Sequence, residues 1–239
     1  MRRPIRAILF DKDGTLVDYA ASWTAINARS VALAARGDAM LATRIAAAVG
    51  VDASGRALEP TSIMAAGSAG EIAAAMVTAG ADFARDDLAA ALDALFLEGA
   101  EAMVPVGDLP AILGALTARG LTLGIASSDN TEAVVRFAER AGIADLLAFV
   151  AGWDAGHGAK PNPAIVRAFG RMAGCDPDEI AVVGDTDHDM AMAKGASVGL
   201  AVGVLTGTGT RASLGARADV VIDDIGGLDA LLGAHGRGG

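Results

Sequence analysis

Acidic side chains recur at positions where short apolar segments of this chain end. Asp11 and Asp13 follow one such segment, and Asp185 and Asp189 follow another. Carboxylates that lie close together repel one another, so a cluster of them needs a cation to stay ionised. A ligand set made only of oxygens favours a hard cation, and Mg²⁺ is the usual one where phosphate also binds. These four aspartates are therefore candidate metal ligands.

Hydroxyl and ammonium groups stand at comparable places along the chain. Ser127 and Ser128 follow a third apolar segment, and Lys160 precedes a helix that starts with a proline. A lysine and hydroxyls beside a cation supply positive charge and donors for the oxygens of a phosphoryl group. A carboxylate that is free to attack phosphorus would carry that group as an aspartyl phosphate. The pattern indicates nucleophilic phosphoryl transfer.

The elements that must position these groups are short apolar strands that alternate with helices. Strands are predicted over residues 5–10, 121–126, 149–151, 180–183, 199–204 and 220–222. Strands separated by helices pair in parallel through right-handed crossovers, and ligands bind beyond the carboxyl ends of such strands. The sequence therefore predicts an α/β fold with a doubly wound, mostly parallel sheet. At one edge of it, the polar groups should converge on a single pocket.

The region 18–103 has a different composition, rich in Ala and without a strand-like segment. Glycines that follow Ala-, Val- and Leu-rich segments mark the ends of its helices, at Gly37, Gly50 and Gly80. The stretch 51–67 contains Gly and Pro and is predicted to be a loop. The expected organisation is a core of residues 1–17 and 104–235, interrupted by an all-helical cap at 18–103.

Four motifs, in this order, resemble those of the haloacid dehalogenase (HAD) superfamily. They are Asp11-Lys12-Asp13-Gly14-Thr15, Ser127, Lys160-Pro161-Asn162-Pro163 and Gly184-Asp185-Thr186-Asp187-His188-Asp189. With a helical cap inserted after the first strand, the chain resembles the phosphoglycolate-phosphatase-like branch of that superfamily. The resemblance implies a Rossmann-like core and Mg²⁺-dependent chemistry.

The same resemblance implies a role for each matching residue of the first motif. Asp11 is the expected nucleophile and a metal ligand. Asp13 is expected to protonate the leaving oxygen, to activate water afterwards, and to bind the metal through its backbone carbonyl. Dehalogenases of the superfamily lack this second aspartate, so its presence favours phosphate chemistry.

The later motifs are expected to hold the metal and the phosphoryl group. Asp185 is the implied Mg²⁺ ligand, and Asp189 is expected to complete or orient the metal shell. Ser127 and Lys160 are expected to bind phosphoryl oxygens. Ser128 stands where many relatives have Asn and is an additional candidate, although both serines could instead cap the helix that follows them.

The resulting interpretation is a Mg²⁺-dependent phosphatase that hydrolyses a small phosphorylated metabolite, such as a phosphoglycolate-like monoester. The alternatives are a phosphomutase of the β-phosphoglucomutase type and a non-catalytic regulatory protein that keeps the fold. Within the polar cap loop 52–62, Arg56 is a candidate partner for a substrate carboxylate, with Glu59 beside it. His157, near Lys160, is a second candidate for substrate contact.

Composition limits the partners and the compartment. The 239 residues include 53% apolar side chains and carry a net charge of −10, which disfavours binding to nucleic acid. No apolar stretch has the length of a membrane helix, and no secretory signal is visible. The single cysteine, Cys175, suits a reducing compartment. We therefore expect a cytoplasmic monomer or homodimer that does not bind membranes.

Overall fold

The computed structural model describes residues 3–57, 62–99 and 102–235. Part of the cap loop 52–62 falls in the first gap. Glu59, which the sequence analysis placed in that loop, lies outside the described residues.

The described residues contain a sheet of six parallel strands in the order β3-β2-β1-β4-β5-β6. The strands are β1 (Ala7–Phe10), β2 (Thr122–Ala126), β3 (Phe149–Ala151), β4 (Ile180–Gly184), β5 (Leu200–Val204) and β6 (Val220–Ile222). The central strands are apolar throughout because helices cover both faces of the sheet. From β1 to β3 the chain adds strands on one side of β1, and from β4 onward it adds them on the other side. Ligands usually bind at the point between β1 and β4 where the strand order changes direction in this way. The predicted fold class is confirmed.

Helices follow the strands and flank the sheet. In the cap region they are α1 (Tyr19–Ala35), α2 (Ala39–Val49), α3 (Ile63–Ala66), α4 (Ala69–Thr78) and α5 (Arg85–Gly99). In the core they are α6 (Leu109–Ala118), α7 (Thr131–Arg140), α8 (Ala164–Ala173), α9 (Asp187–Ala196), α10 (Arg211–Gly215) and α11 (Leu228–His235). Over the described residues, no helix has both the length and the apolar character that a membrane span requires.

Alternate residues of β1 enter two different hydrophobic clusters, as the period of a strand requires. Ile8 and Phe10 pack on one face with residues of α6, α7 and α11, including Phe137. Leu9 packs on the other face with residues of α8 and α9, including Phe169. The first strand is thus the centre of the core and is held rigidly from both sides.

The cap region buries a third hydrophobic cluster of its own, built from α1, α2, α4 and α5. Ser68 and Glu71 form a capping box at the start of α4, in which the Ser68 backbone N–H donates to Glu71 Oε2 at 2.8 Å. The prediction of a loop throughout 51–67 was wrong in one part, since α3 lies within it. Ser62 caps that short helix by accepting a hydrogen bond from the N–H of Ala65 at 3.2 Å. The Gly and Pro content of the stretch favoured a loop and outweighed this local helix-start signal.

Two chain segments join the cap to the core, and they lie side by side. The N–H of Asp18 donates to the carbonyl of Val104, and the N–H of Val106 donates to the carbonyl of Leu16, both at 2.9 Å. Ser22 adds a further bond, because its hydroxyl accepts from the N–H of Val104 at 2.9 Å. The two connections between the cap region and the core are therefore hydrogen-bonded to each other.

Candidate active site

The carboxyl ends of three adjacent strands deliver polar side chains to one place. Asp11 extends β1 by one residue, since its N–H donates to the carbonyl of Val183 in β4 at 2.8 Å. Ser127 follows β2, and Asp185 follows β4. The side chains of Asp11, Ser127 and Asp185 are all buried. The parallel pairing of these strands brings together groups that are more than 170 positions apart in the chain.

Three buried carboxylates form a compact cluster at these strand ends. Asp11, Asp185 and Asp189 each offer an oxygen that lies within 4.8 Å of the others. Oδ2 of Asp11 and Oδ1 of Asp185 are buried and have no hydrogen-bond partner among the described residues. A hard dication would satisfy both oxygens, so this oxygen-only cluster fits Mg²⁺.

Burial and mutual repulsion perturb the ionisation of this cluster. Burial raises the pKa of Asp11 to about 7, although Lys160 partly opposes the rise. Burial, with the charges of Asp11 and Asp189, raises the pKa of Asp185 well above its ordinary value. A bound cation favours the charged form of a carboxylate. A metal bound here would therefore oppose the rise in the pKa of Asp11 and of Asp185.

Glycines let the backbone pass close to Asp185. Gly14 has φ +83°, a left-handed conformation that glycine adopts at little cost, and a Cβ there would lie 2.5 Å from Cγ of Asp185. A Cβ at Gly207 would overlap Oδ2 of the same carboxylate. That oxygen accepts a hydrogen bond from the N–H of Thr208 at 2.8 Å. The chain thus leaves one oxygen of Asp185 oriented and the other free.

Lys160 connects two members of the cluster. Its ammonium donates to Oδ1 of Asp11 and, at 2.7 Å, to Oδ1 of Asp189. Burial lowers the pKa of Lys160, but the two carboxylates outweigh that effect and hold it above its ordinary value. Thr186 orients Asp189 from the other side, donating from Oγ1 at 2.6 Å. Lys160 is therefore a permanently charged group placed beside the expected nucleophile.

Asp13 stands beside this cluster and is held by two residues to which the sequence analysis gave no role. Oδ1 of Asp13 accepts from Lys12 Nζ at 2.7 Å and from the indole Nε1 of Trp23 at 2.6 Å. Lys12 is fully buried and also forms an ion pair with Asp129 at 2.9 Å. The signal for Lys12 was available: a lysine between two aspartates at the end of a buried strand needs partners.

Asp129 is the third residue that sequence reasoning missed. Burial raises its pKa to about 6, while Lys12 opposes the shift. Its N–H donates to the hydroxyl of Ser127 at 3.0 Å, which fixes the turn after β2. Asn130, rather than either serine, caps α7 by accepting from the N–H of Ala133 at 2.9 Å. The N-cap of α7 is therefore Asn130, and the capping alternative is wrong for Ser127.

A cavity of about 40 Å³ lies between the core and the cap. We call its core side the floor, formed by Asp11, Asp13, Ser128, Asp129, Lys160, Thr186 and Asp189. We call its cap side the roof, formed by Tyr19, Trp23, Met64, Ala65, Gly67, Ile72 and Phe96. The floor holds the groups that could perform phosphoryl chemistry, and the roof is almost entirely apolar.

The two substrate residues expected from sequence do not line this cavity. Arg56 is exposed and donates from Nε to Oδ2 of Asp52 at 3.1 Å. His157 stacks on the ring of Phe149 with 6.2 Å between centroids. The structure thus brings together the aspartates, Ser128 and Lys160 of the expected site, and leaves Arg56 and His157 apart from them.

Comparison with known families agrees with this geometry. The family model described as "Hydrolase: haloacid dehalogenase-like hydrolase" matches residues 5–197. The match includes the described aspartates, Ser127, Ser128 and Lys160. The chain belongs to the haloacid dehalogenase-like hydrolase family.

Curated relatives and solved structures extend the comparison. The phosphoglycolate phosphatase of Rhodospirillum rubrum is 39% identical over 132 residues, which cover 54% of this chain and 53% of that protein. The phosphoglycolate phosphatase of Escherichia coli is 34% identical over 124 residues, covering 51% and 48%. The match therefore spans about half the length of these relatives.

Two solved structures share the fold over nearly the full chain. CbbY from Rhodobacter sphaeroides, in complex with phosphate, has a TM-score of 0.70 at 18% identity and covers 94% of this chain and 96% of its own. A HAD family hydrolase from Deinococcus radiodurans, with bound phosphate and sodium, has a TM-score of 0.67 at 21% identity and covers 98% and 97%. At these identities the likeness establishes the common fold.

Proposed function

We propose that this protein is a Mg²⁺-dependent phosphatase that hydrolyses small phosphomonoesters through an aspartyl phosphate on Asp11. The observation that carries the proposal is the pair of buried, unpartnered carboxylate oxygens on Asp11 and Asp185 beside the charged Lys160. Asp11, Asp185 and Asp189 would hold the metal, with the backbone of Asp13 as a further ligand. When bound, Mg²⁺ supplies positive charge to the phosphoryl oxygens.

In the first half-reaction, a carboxylate oxygen of Asp11 attacks phosphorus. The bond from Asp11 to phosphorus forms as the bond from phosphorus to the leaving oxygen breaks. Asp13 gives its proton to that leaving oxygen, so an alcohol departs. Lys160 and the hydroxyls of Ser127 and Ser128 would donate to the non-bridging oxygens, which carry the negative charge.

In the second half-reaction, water replaces the leaving alcohol. Asp13, now a carboxylate, takes a proton from water as the water oxygen attacks phosphorus. The bond between phosphorus and Asp11 then breaks, and inorganic phosphate leaves. Lys12 and the indole of Trp23 hold Asp13 in position through both proton transfers.

Access to the site requires the cap to separate from the core. A cavity of about 40 Å³ holds only a few waters, which is less than a phosphomonoester needs. The paired connections at Leu16–Asp18 and 104–106 join the two parts at one edge of the site. Closure over a bound ester would exclude bulk water and bring the roof onto the leaving group.

Hydrolysis is favoured over a phosphomutase reaction by the composition of the roof. A mutase must hold a sugar and return the phosphoryl group to it, which requires several polar groups facing the ligand. The roof offers only the Tyr19 hydroxyl and the Trp23 indole, and both are engaged within the protein. A purely regulatory role would leave the Asp11–Asp13 machinery without a purpose. The curated relatives make phosphoglycolate the first natural ester to test.

The deciding experiment measures phosphate release from a panel of phosphomonoesters, with p-nitrophenyl phosphate included. Activity should require Mg²⁺, and rapid quenching followed by intact-mass analysis should detect a phosphorylated protein that is absent in Asp11→Asn. Absence of hydrolysis across the panel, with folded protein and saturating Mg²⁺, would refute the proposal.

A further inference from the structure

The roof of the cavity presents apolar and aromatic surface to the position of a leaving group. Tyr19 and Trp23 come from α1, Met64 from α3, Ile72 from α4 and Phe96 from α5. Trp23 packs edge-on against Phe96 with 5.1 Å between centroids, and all five side chains are buried. Four separate helices thus contribute to one apolar wall.

The few polar atoms of this wall already have partners. The indole N–H of Trp23 donates to Asp13 at 2.6 Å. The Tyr19 hydroxyl donates to the carbonyl of Met64 at 3.4 Å and accepts from Nδ2 of Asn27 at 3.3 Å. Burial raises the pKa of Tyr19 above its ordinary value, so the hydroxyl stays neutral. The wall therefore has no charge to offer a ligand.

The basic residues of the cap lie elsewhere. Between positions 18 and 103 the sequence has five arginines and no lysine, and every one of the five is exposed. They are Arg29, Arg36, Arg44, Arg56 and Arg85. Arg29 pairs with Glu98 at 3.0 Å, and Arg36 stacks on Phe83 at 4.0 Å from its centroid. None of these side chains lines the cavity as the described residues define it.

The two lysines near the site are already paired with aspartates. Lys160 lies between Asp11 and Asp189. Lys12 is fully buried between Asp13 and Asp129. The cap residues outside the described ranges, 58–61 and 100–101, contain two glutamates and no basic residue. A carboxylate on the leaving group would thus face an apolar wall and several aspartates.

We propose that the ester cleaved here has an uncharged, apolar leaving group, and that a carboxylate-bearing ester such as phosphoglycolate is discriminated against. The inference rests on the proposed phosphatase function and names the substrate class of that same site. Burying a carboxylate without a cation or hydrogen-bond donors is strongly unfavourable, whereas an alkyl or aryl group gains from leaving water. The roof therefore selects by polarity.

The test compares two esters of matched shape. Phosphoglycolate carries a carboxylate where isobutyl phosphate carries an isopropyl group, so the two leaving groups differ mainly in charge. The kcat/KM for isobutyl phosphate should exceed that for phosphoglycolate by at least roughly 10-fold, the usual size of discrimination in an apolar pocket. Equal values, or a preference for phosphoglycolate, in a preparation that hydrolyses p-nitrophenyl phosphate would overturn this inference and leave the phosphatase proposal standing.

A binding measurement tests the ligand class independently of the proposed phosphatase activity. The phosphonates that replace the bridging oxygen by a methylene, 3-methylbutylphosphonate and 3-phosphonopropanoate, cannot be hydrolysed. Calorimetry with Mg²⁺ present should show tighter binding of the apolar phosphonate by the same factor. Such a preference without hydrolysis of any ester would support the ligand class while refuting the phosphatase function, and the reverse preference would refute the ligand class.

A pair of identical substitutions locates the selectivity in the roof. Met64→Lys adds a cation to the wall and should narrow or reverse the preference for isobutyl phosphate. Met40→Lys, at an exposed position of α2, is the control and should leave the preference unchanged. A change of equal size in both variants would show that the roof does not select, and the wild-type comparison stands even if Met64→Lys folds poorly.

Discussion

The floor and the roof of the cavity are opposite in character although they enclose the same space. The floor places four aspartates and Lys160 in a charged network, in which Lys160 pairs with Asp11 and Asp189, whereas Asp13 and Asp129 pair with Lys12, which does not line the cavity. The roof places aromatic and aliphatic side chains above it, and the polar atoms of Tyr19 and Trp23 already have hydrogen-bond partners within the protein. The floor suits a reaction that depends on charge at fixed distances. The roof suits a choice among ligands by size and polarity.

This difference teaches that chemistry and selection can be altered separately. Charges in the floor interact strongly because water is excluded, so loss of one partner leaves another uncompensated. Contacts in the roof are individually weak and without direction. Substitutions in the floor should therefore affect every ester, whereas substitutions in the roof should affect esters unequally.

The largest effect is expected from Asp11→Asn in the floor. The amide cannot attack phosphorus, so turnover of every ester should fall to background and no phosphorylated protein should form. Phosphate release and intact-mass analysis provide the measurements. Asp82→Asn, a fully exposed position in the cap, is the matched control and should retain wild-type activity. Retention of activity in Asp11→Asn would rule out covalent catalysis on this residue.

Removal of the metal should have a similarly general effect. Chelation should abolish hydrolysis of all esters alike, and Mg²⁺ should restore it. Because Mg²⁺ binds the folded state, it should also raise the melting temperature, and a concentration of 100 times Kd corresponds to about 2.7 kcal/mol. Asp185→Asn should lose that thermal shift. Full activity in metal-free buffer would contradict the assignment of the carboxylate cluster.

Asp13→Asn should slow the reaction by an amount that depends on the leaving group of the ester. Loss of general acid and base assistance typically lowers the rate by about 10²–10⁴-fold. Formation of the phosphorylated protein should be slowed strongly with alkyl esters but weakly with p-nitrophenyl phosphate, because its phenolate leaves without a proton. Rapid-quench kinetics on both esters provide the measurement. An identical slowing of this step for both would place Asp13 outside proton transfer.

Lys12→Met should destabilise the fold as well as the site. It leaves Asp13 and Asp129 without their buried cation, and breaking such a pair costs about 3–5 kcal/mol. Chemical denaturation measures the loss, and Lys194→Met at an exposed position is the control, expected to change stability by less than about 0.5 kcal/mol. Adding Asp129→Asn should recover part of the loss. No difference between the two lysine variants would contradict the ion-pair network.

The smallest effect is expected from Arg56→Ala. An exposed ion pair such as Arg56–Asp52 contributes about 0.2–1 kcal/mol, and the side chain does not line the cavity. The ratio of kcat/KM between phosphoglycolate and isobutyl phosphate should stay constant. A selective loss of phosphoglycolate hydrolysis would restore Arg56 as the substrate contact that loop polarity indicated.

The sequence by itself determined the sheet and the approximate position of the chemistry. The predicted strands 149–151 and 220–222 coincide with β3 and β6, because short apolar runs between helices form buried strands that pair in parallel. Parallel strands point their carboxyl ends to one edge, so the convergence of Asp11, Ser127 and Asp185 followed from order alone.

Only the tertiary structure decided which residues complete the site and what faces the ligand. The bonds of Asp13 to Trp23 and of Lys12 to Asp129 join segments that no local pattern relates. They depend on how α1 and the turn after β2 pack over the end of β1. Arg56 was predicted to contact the substrate because its loop is polar, but it pairs with Asp52 instead. The polarity of a loop does not indicate which way its side chains face. Local periodicity reports which surface of an element is buried, whereas the partner across that surface is set by packing of the whole chain.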